Sequence, residues 1–227
     1  MRTMMLLALL GLTACARLPG EQARGTPAAE VAATGFALLS SHGVPLGSAV
    51  AVAPDRVLTN AHVVPEGAVR LRFTRGDGAA GGEAMVLARS PVMDLAVLSV
   101  PAGVLRPVTI AATPPHAGQR LWAVGAPSAG AAVAAGVAEQ TAMNLPGHGP
   151  GFTARIGALM GYSGGPVVDS AGNLQGLVTA LPRPGAAPVL AALTGFDLDG
   201  IAQGSPGREV FILSIAAALA EAARIAP

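Results

Sequence analysis

Short apolar runs punctuated by turn residues dominate the chain from about residue 34 onward. Phe36-Ala37-Leu38-Leu39-Ser40 and Gly47-Ser48-Ala49-Val50-Ala51-Val52 flank a turn at His42-Gly43-Val44-Pro45. Arg56-Val57-Leu58-Thr59 follows the Pro54-Asp55 turn and runs into Asn60-Ala61-His62-Val63-Val64. Val69-Arg70-Leu71-Arg72-Phe73 alternates apolar with basic, as a half-exposed strand should. Ala84 to Ala88 and Leu95 to Val100 complete about six short strands before residue 101, a spacing that predicts a small antiparallel barrel or sandwich. Residues 101–118 hold four prolines and one short strand, Val108-Thr109-Ile110, and read as a connection. A second series follows: Arg120 to Val124, Ala132-Val133, Gly136 to Gln140, Phe152 to Ile156, Val167-Val168 and Leu174 to Val178. Residues 182–207 read mostly as loop, with one possible strand at Val189-Leu190-Ala191. From Ser214 to Ile225 apolar positions fall at helical spacing, with Ser214 as candidate N-cap.

Composition narrows the class. Hydrophobic residues make up 52% of the 227 and charged residues 12%, so a sizeable core is available and extended disorder is excluded over most of the chain. Aromatics are only 3%, which leaves the packing to Ala, Val and Leu. All 14 basic residues are Arg, the formal net charge is +1 and no basic cluster occurs, so a nucleic-acid partner is not supported. One cysteine, Cys15, rules out an intramolecular disulfide. The four histidines are far apart and no Cys/His set has zinc-ligand spacing, so neither a metal nor a cofactor is expected.

The first residues differ from the rest. Met1-Arg2, an apolar run from Met4 to Leu12 and small residues after it describe a secretory signal too short to remain as a membrane span. Leu12-Thr13-Ala14-Cys15 resembles the lipobox of bacterial lipoproteins, which implies a mature chain starting at a lipid-carrying Cys15. The alternative is an ordinary signal cut after Ala14 or Ala16, with Cys15 incidental. Arg17, not Asp, stands two positions after the cysteine, which by analogy with lipoprotein sorting favours the outer membrane over the inner. The expected localisation is the bacterial envelope, facing the periplasm.

Candidate chemistry sits in three segments. In Gly161-Tyr162-Ser163-Gly164-Gly165-Pro166 a serine is held between glycines ahead of a hairpin. Such a loop suits a nucleophile whose neighbouring N–H groups converge; the alternative is a Gly-rich hairpin corner. A serine hydroxyl near neutral pH needs a base, and the base needs an orienting acid. His62 ends an apolar strand, whereas His42, His116 and His148 lie in Gly/Pro-rich turns and read as solvated. Asp94 stands at the mouth of the apolar strand Leu95-Ala96-Val97-Leu98, where a carboxylate without a partner is costly to bury.

The blocks Leu58-Thr59-Asn60-Ala61-His62-Val63-Val64, Asp94-Leu95-Ala96-Val97-Leu98 and Gly161 to Pro166 resemble the signatures of trypsin-like, chymotrypsin-fold serine proteases, most of all the bacterial HtrA/Deg branch. Gly47-Ser48-Ala49-Val50, Ala123-Val124-Gly125-Ala126-Pro127 and Gly172-Asn173-Leu174-Gln175-Gly176 add to it, so the resemblance covers residues 34–225. It implies an all-β fold of two six-stranded antiparallel barrels with a C-terminal helix. The corresponding division is signal 1–14, tether 15–33, first barrel 34–105, connection 106–118, second barrel 119–207 and closing helix 208–227.

The resemblance also implies roles. Ser163 would be the nucleophile, His62 the base and Asp94 its orienting acid, with the N–H groups of Gly161 and Ser163 as oxyanion hole. Gly157 would form the base of the specificity pocket, with Val178, Thr179 and Ala180 opposite, giving a small apolar pocket without preference for Arg or Lys. Activation-cleaved relatives have Asp where this chain has Tyr162, so their zymogen switch is not expected. HtrA relatives usually carry PDZ domains after the protease unit, and the present sequence reaches Pro227 directly after the closing helix. The expected activity is that of a lipid-tethered endopeptidase acting on polypeptides in protein quality control. The alternatives are a non-catalytic chaperone-like or binding lipoprotein and an esterase using the same triad. Substrate identity and oligomeric state leave no mark in the sequence.

Overall fold

A computed structural model describes residues 23–128, 130–158, 160–179 and 208–227. Six strands form the first barrel: β1 (Phe36–Ser41), β2 (Val44–Ala53), β3 (Arg56–Thr59), β4 (Arg70–Arg75), β5 (Gly81–Arg89) and β6 (Ala96–Ser99). They run antiparallel in the order β1-β2-β3-β6-β5-β4, and pairing of β1 with β4 closes the ring. Seven strands follow: β7 (Arg120–Ser128), β8 (Gly130–Ala138), β9 (Met143–Leu145), β10 (Gly149–Ile156), β11 (Pro166–Val168), β12 (Leu174–Thr179) and β13 (Arg208–Ser214). Six of them close a second ring, β13-β12-β11-β7-β8-β10, through the β10–β13 pairing. The short β9 pairs only with the start of β10. Helix α1 (Ile215–Ile225) ends the chain. The expected all-β, chymotrypsin-like architecture of two six-stranded barrels and a C-terminal helix is present.

Side-chain period explains why so few strands alternate apolar with polar. Along a strand successive side chains point to opposite faces. In β3, Val57 enters the core of the first barrel while Leu58 enters the layer between the barrels. In β6, Ala96 and Leu98 point inward and Val97 outward into the same layer. The second barrel repeats the scheme: Leu121, Ala123, Val210 and Ile212 fill its interior, and Trp122, Val124, Phe211 and Leu213 face the other barrel. Strands buried on both faces must be apolar throughout. β4 alternates the exposed Arg70 and Arg72 with the buried Leu71 and Phe73, and β5 likewise leaves Glu83, Met85 and Leu87 exposed, because these two strands turn their outer faces to solvent.

Four expectations change. Residues 23–33, expected as tether, are folded: Ala23, Ala28, Val31 and Ala32 are buried in the layer between the barrels. The segment 208–227 is not all helix, because Arg208–Ser214 is β13 and pairs with both β10 and β12. Ser214 stands at the N-cap position, but its hydroxyl makes no capping hydrogen bond. The run Val108-Thr109-Ile110 contributes one bridge, Ile110 to Leu174, rather than a strand in either barrel. The signal segment, Cys15, the first part of the tether, Ala180 and the strand expected at Val189-Leu190-Ala191 lie outside the described residues. Among the described residues no helix is long and apolar enough to cross a membrane, and no group of His, Cys, Asp and Glu could hold a metal ion.

Candidate active site

The end of β3 and the start of β6 lie side by side, since Thr59 pairs with Ala96. Continuing from each strand end brings His62 and Asp94 together. His62 sits in a helical turn, Ala61–Val63, that its strand enters after Asn60. Its backbone N–H donates to Asp94 Oδ1 at 3.0 Å, and its ring Nδ1 lies 2.7 Å from Asp94 Oδ2. An ionised carboxylate only accepts, so Nδ1 carries the proton and Nε2 of the neutral ring keeps a lone pair. The Asp94 side chain is 9% exposed and that of His62 48%, so the acid is buried behind a base that reaches solvent. Burial pushes the Asp94 carboxyl upward. The bond from the His62 ring, the bond from the His62 N–H and the charges of His62 and His148 outweigh it, and the group is held below the usual carboxylate value.

Ser163 lies in a turn on the second barrel, just before β11. The Gly165 N–H donates to the Tyr162 carbonyl at 2.8 Å, and Gly164 adopts φ +79°, as the third residue of a type II turn requires. The first barrel grips this turn through one residue of β2. Ser48 N–H donates to the Ser163 carbonyl at 2.8 Å, and Ser48 Oγ donates to the Gly161 carbonyl at 2.7 Å. Thr59 Oγ1 in turn donates to the Ser48 carbonyl at 2.6 Å. Gly161, at φ +90°, passes so close to β7 that a Cβ there would lie 2.2 Å from the Ala126 carbonyl oxygen. Among the described residues the N–H groups of Gly161 and Ser163 have no acceptor, and no hydrogen bond joins the Ser163 hydroxyl to His62. Catalytic hydrogen bonds of this kind are often long without substrate.

Tyr162 carries no counterpart of an activation salt bridge. Its ring is buried in the core of the second barrel and lies against Gly125, where an added Cβ would meet the ring at 2.3 Å. Burial pushes its phenol up to about 12.

The residues expected around a specificity pocket are placed as follows. Gly157 is exposed, with open space where a side chain would project. Val178 is part of the second barrel's core. Thr179 is fully buried, and its Oγ1 accepts from Asn60 Nδ2 at 2.9 Å.

Four further residues enter the site without having been singled out. Ser48 and Asn60 are fully buried polar side chains in otherwise apolar surroundings. Asn60 Nδ2 also donates to the Asp94 carbonyl at 3.0 Å. A lone polar residue inside an apolar run must find a partner, and that rule could have flagged both. Ser90 organises the turn before Asp94 through bonds from the Val92 and Met93 N–H groups. His148, expected to be a solvated loop residue, faces His62 and Asp94 across a cleft of about 520 Å³ whose walls include Pro91 and Met93.

Comparison with known proteins gives the family and the fold. The family model described as trypsin-like peptidase domain matches residues 47–177. The serine proteases MT3772 and Rv3671c of Mycobacterium tuberculosis are each 33% identical over 142 residues, which is 58% of this chain and 35% of theirs. The chain thus spans about a third of the length of the curated relatives it matches. Among solved structures, the inactive form of the Rv3671c protease superposes with a TM-score of 0.69 at 24% identity, covering 93% of this chain and 98% of that one. The HtrA-type protease AlgW with tripeptide gives a TM-score of 0.64 at 27% identity, covering 86% and 62%. With more than half of its length matched by that family model, the chain belongs to the trypsin-like peptidase family.

Proposed function

We propose that the chain is a serine endopeptidase that cleaves polypeptides through an acyl-enzyme. Ser163 attacks the scissile carbonyl and passes its proton to His62 Nε2. The imidazolium formed is stabilised by Asp94, and its proton leaves with the departing amine. Water then attacks the acyl-enzyme, His62 again takes the proton, and Ser163 is regenerated. The N–H groups of Gly161 and Ser163 receive the oxyanion, each worth roughly 3–4 kcal/mol to the transition state. The observation that carries the reading is the double contact of a buried Asp94 with the backbone and ring of His62, which leaves Nε2 as the reacting nitrogen.

A small apolar pocket beside Gly157 accepts the side chain before the cleaved bond, since no acid stands at that position. The site is carried on the periplasmic side of a bacterial envelope by lipid on Cys15, where damaged polypeptides are the substrate class. A fluorophosphonate probe tests the nucleophile: labelling of the wild type that vanishes in Ser163→Ala is expected, and an unlabelled wild type beside a labelled control protease counts against the enzyme. Digestion of a peptide library against hydrolysis of simple esters decides between peptidase and esterase. Cys15→Ser should release the chain from membranes, and an unchanged distribution removes the anchor.

A further inference from the structure

The turn that presents Asp94 is held from outside the barrels. Ser90 Oγ accepts the N–H groups of Val92 and Met93, each at 3.1 Å. Ser90 N–H donates to the Leu95 carbonyl at 2.8 Å, so one residue closes the whole turn around Asp94. A hydroxyl that accepts two such bonds still has one proton to give, and the direction of that proton fixes where its lone pairs point. It is given to Glu221 Oε1 on α1. Glu221 is 6% exposed, unusual for a carboxylate, and its other partner is Arg224, through Nε at 2.8 Å and Nη2 at 2.7 Å.

A surface helix that needed only to cover the barrels would place an apolar residue at Glu221. Its neighbours on the buried face, Ile215 and Ala218, are apolar. A buried carboxylate is retained at a cost, and here its oxygen is spent on the turn that carries the acid of the site.

We infer that Glu221 is a positioning residue for Asp94, acting through the Ser90 hydroxyl. This rests on the reading of Asp94 as the acid that orients His62. Glu221 fixes the Ser90 proton, Ser90 fixes the Val92 and Met93 N–H groups, and the carboxylate that follows them is held at 2.7 Å from the His62 ring. The C-terminal helix is thereby connected to the base of the site through the Ser90 hydrogen bonds and the backbone from Met93 to Asp94.

The experiment compares Glu221→Ala, Glu221→Gln and Ser90→Ala with Arg56→Ala in the full chain. Arg56 Nη1 donates to the Ala226 carbonyl at 3.1 Å and so loosens the same helix without touching Ser90. Two readouts are taken beside Tm: the low-field proton resonance of the His62 Nδ1–H, and turnover of a peptide substrate. In Glu221→Ala and Ser90→Ala the resonance should shift or broaden and kcat fall roughly tenfold or more, with a smaller change in KM. Glu221→Gln keeps an acceptor for Ser90 and should recover most of both, and Arg56→Ala should lower Tm alone. The inference is overturned if Glu221→Ala matches Arg56→Ala, losing Tm with the resonance and kcat unmoved. Should the wild type hydrolyse nothing, the proposed function fails, while the resonance still reads the coupling of Glu221 to the His62–Asp94 pair.

Discussion

Ser48 Oγ, on the first barrel, donates to the Gly161 carbonyl, on the second, at 2.7 Å. The same carbonyl accepts the Ala126 N–H at 3.1 Å, so it is held by one donor from each barrel. Holding it fixes the peptide next to the one whose N–H would face the oxyanion. Ser48→Ala leaves that carbonyl with one donor. The expected cost is about 1 kcal/mol of stability, measured by chemical denaturation. The rate of fluorophosphonate labelling should fall several-fold more than that of a surface control, because the loop loses its setting as well as its bond.

Gly164 is pressed closely against the first barrel. A Cβ there would lie 2.2 Å from the Ser48 carbonyl oxygen and 2.3 Å from Thr59 Oγ1, and φ is +79°. Gly164→Ala therefore combines a left-handed conformation with a backbone clash, and should cost about 2 kcal/mol or more while abolishing labelling. A variant with wild-type Tm and labelling would show that the loop is not seated against β2 and β3.

Tyr162 and Gly125 form a fitted pair. Gly125→Ala drives a methyl group into the buried ring and should destabilise by about 1–3 kcal/mol, with loss of labelling as the adjacent serine shifts. The double variant Gly125→Ala with Tyr162→Leu removes the clash. Recovery of part of the Tm, read by thermal unfolding, checks that the two positions are coupled rather than independent.

Asp94 is held below the usual carboxylate value in the folded chain. Its contribution to stability is therefore complete above the unfolded value of about 3.9 and is lost as pH falls through the lower folded value. Asp94→Asn has no such titration. Denaturation from pH 7 down to pH 2 should show the gap between the two proteins narrowing only at the acid end. At neutral pH the same variant should lose about 10⁴-fold in kcat, since an amide imposes the wrong tautomer on His62.

The segments around His62, Asp94 and Ser163 were readable because each is a local pattern: a polar residue at the end of an apolar strand, or a serine among glycines. Turn spacing showed a small antiparallel barrel or sandwich, while the two six-stranded barrels came from the family resemblance and the strand order only from the pairing. Other features depend on what the chain meets across space. Ser48 sits in an apolar strand like any serine there, and only the return of the chain at Gly161 gives its hydroxyl a purpose. Most strands hide their period because both faces are buried, one in a barrel and one between barrels. The helix start at Ser214 was readable from its spacing, but the strand Arg208–Ser214 was not, because no Gly or Pro separates the apolar run Val210-Phe211-Ile212-Leu213 from the Ala-rich helix that follows. His148 looked solvated because its turn is rich in Gly and Pro, a composition that tells nothing of what the turn folds against.

The grip of β2 on the serine turn has a consequence for how the molecule divides. A chain cut within residues 106–118 would leave Ser163 in one fragment and Ser48, Thr59, His62 and Asp94 in the other. The fragment with the serine would keep the Tyr162–Gly165 turn and its bonds within the second barrel but lose both bonds from Ser48. Reunion of the halves would then restore the loop's shape and the base in one event, so competence belongs to the junction and neither barrel holds a share of it alone.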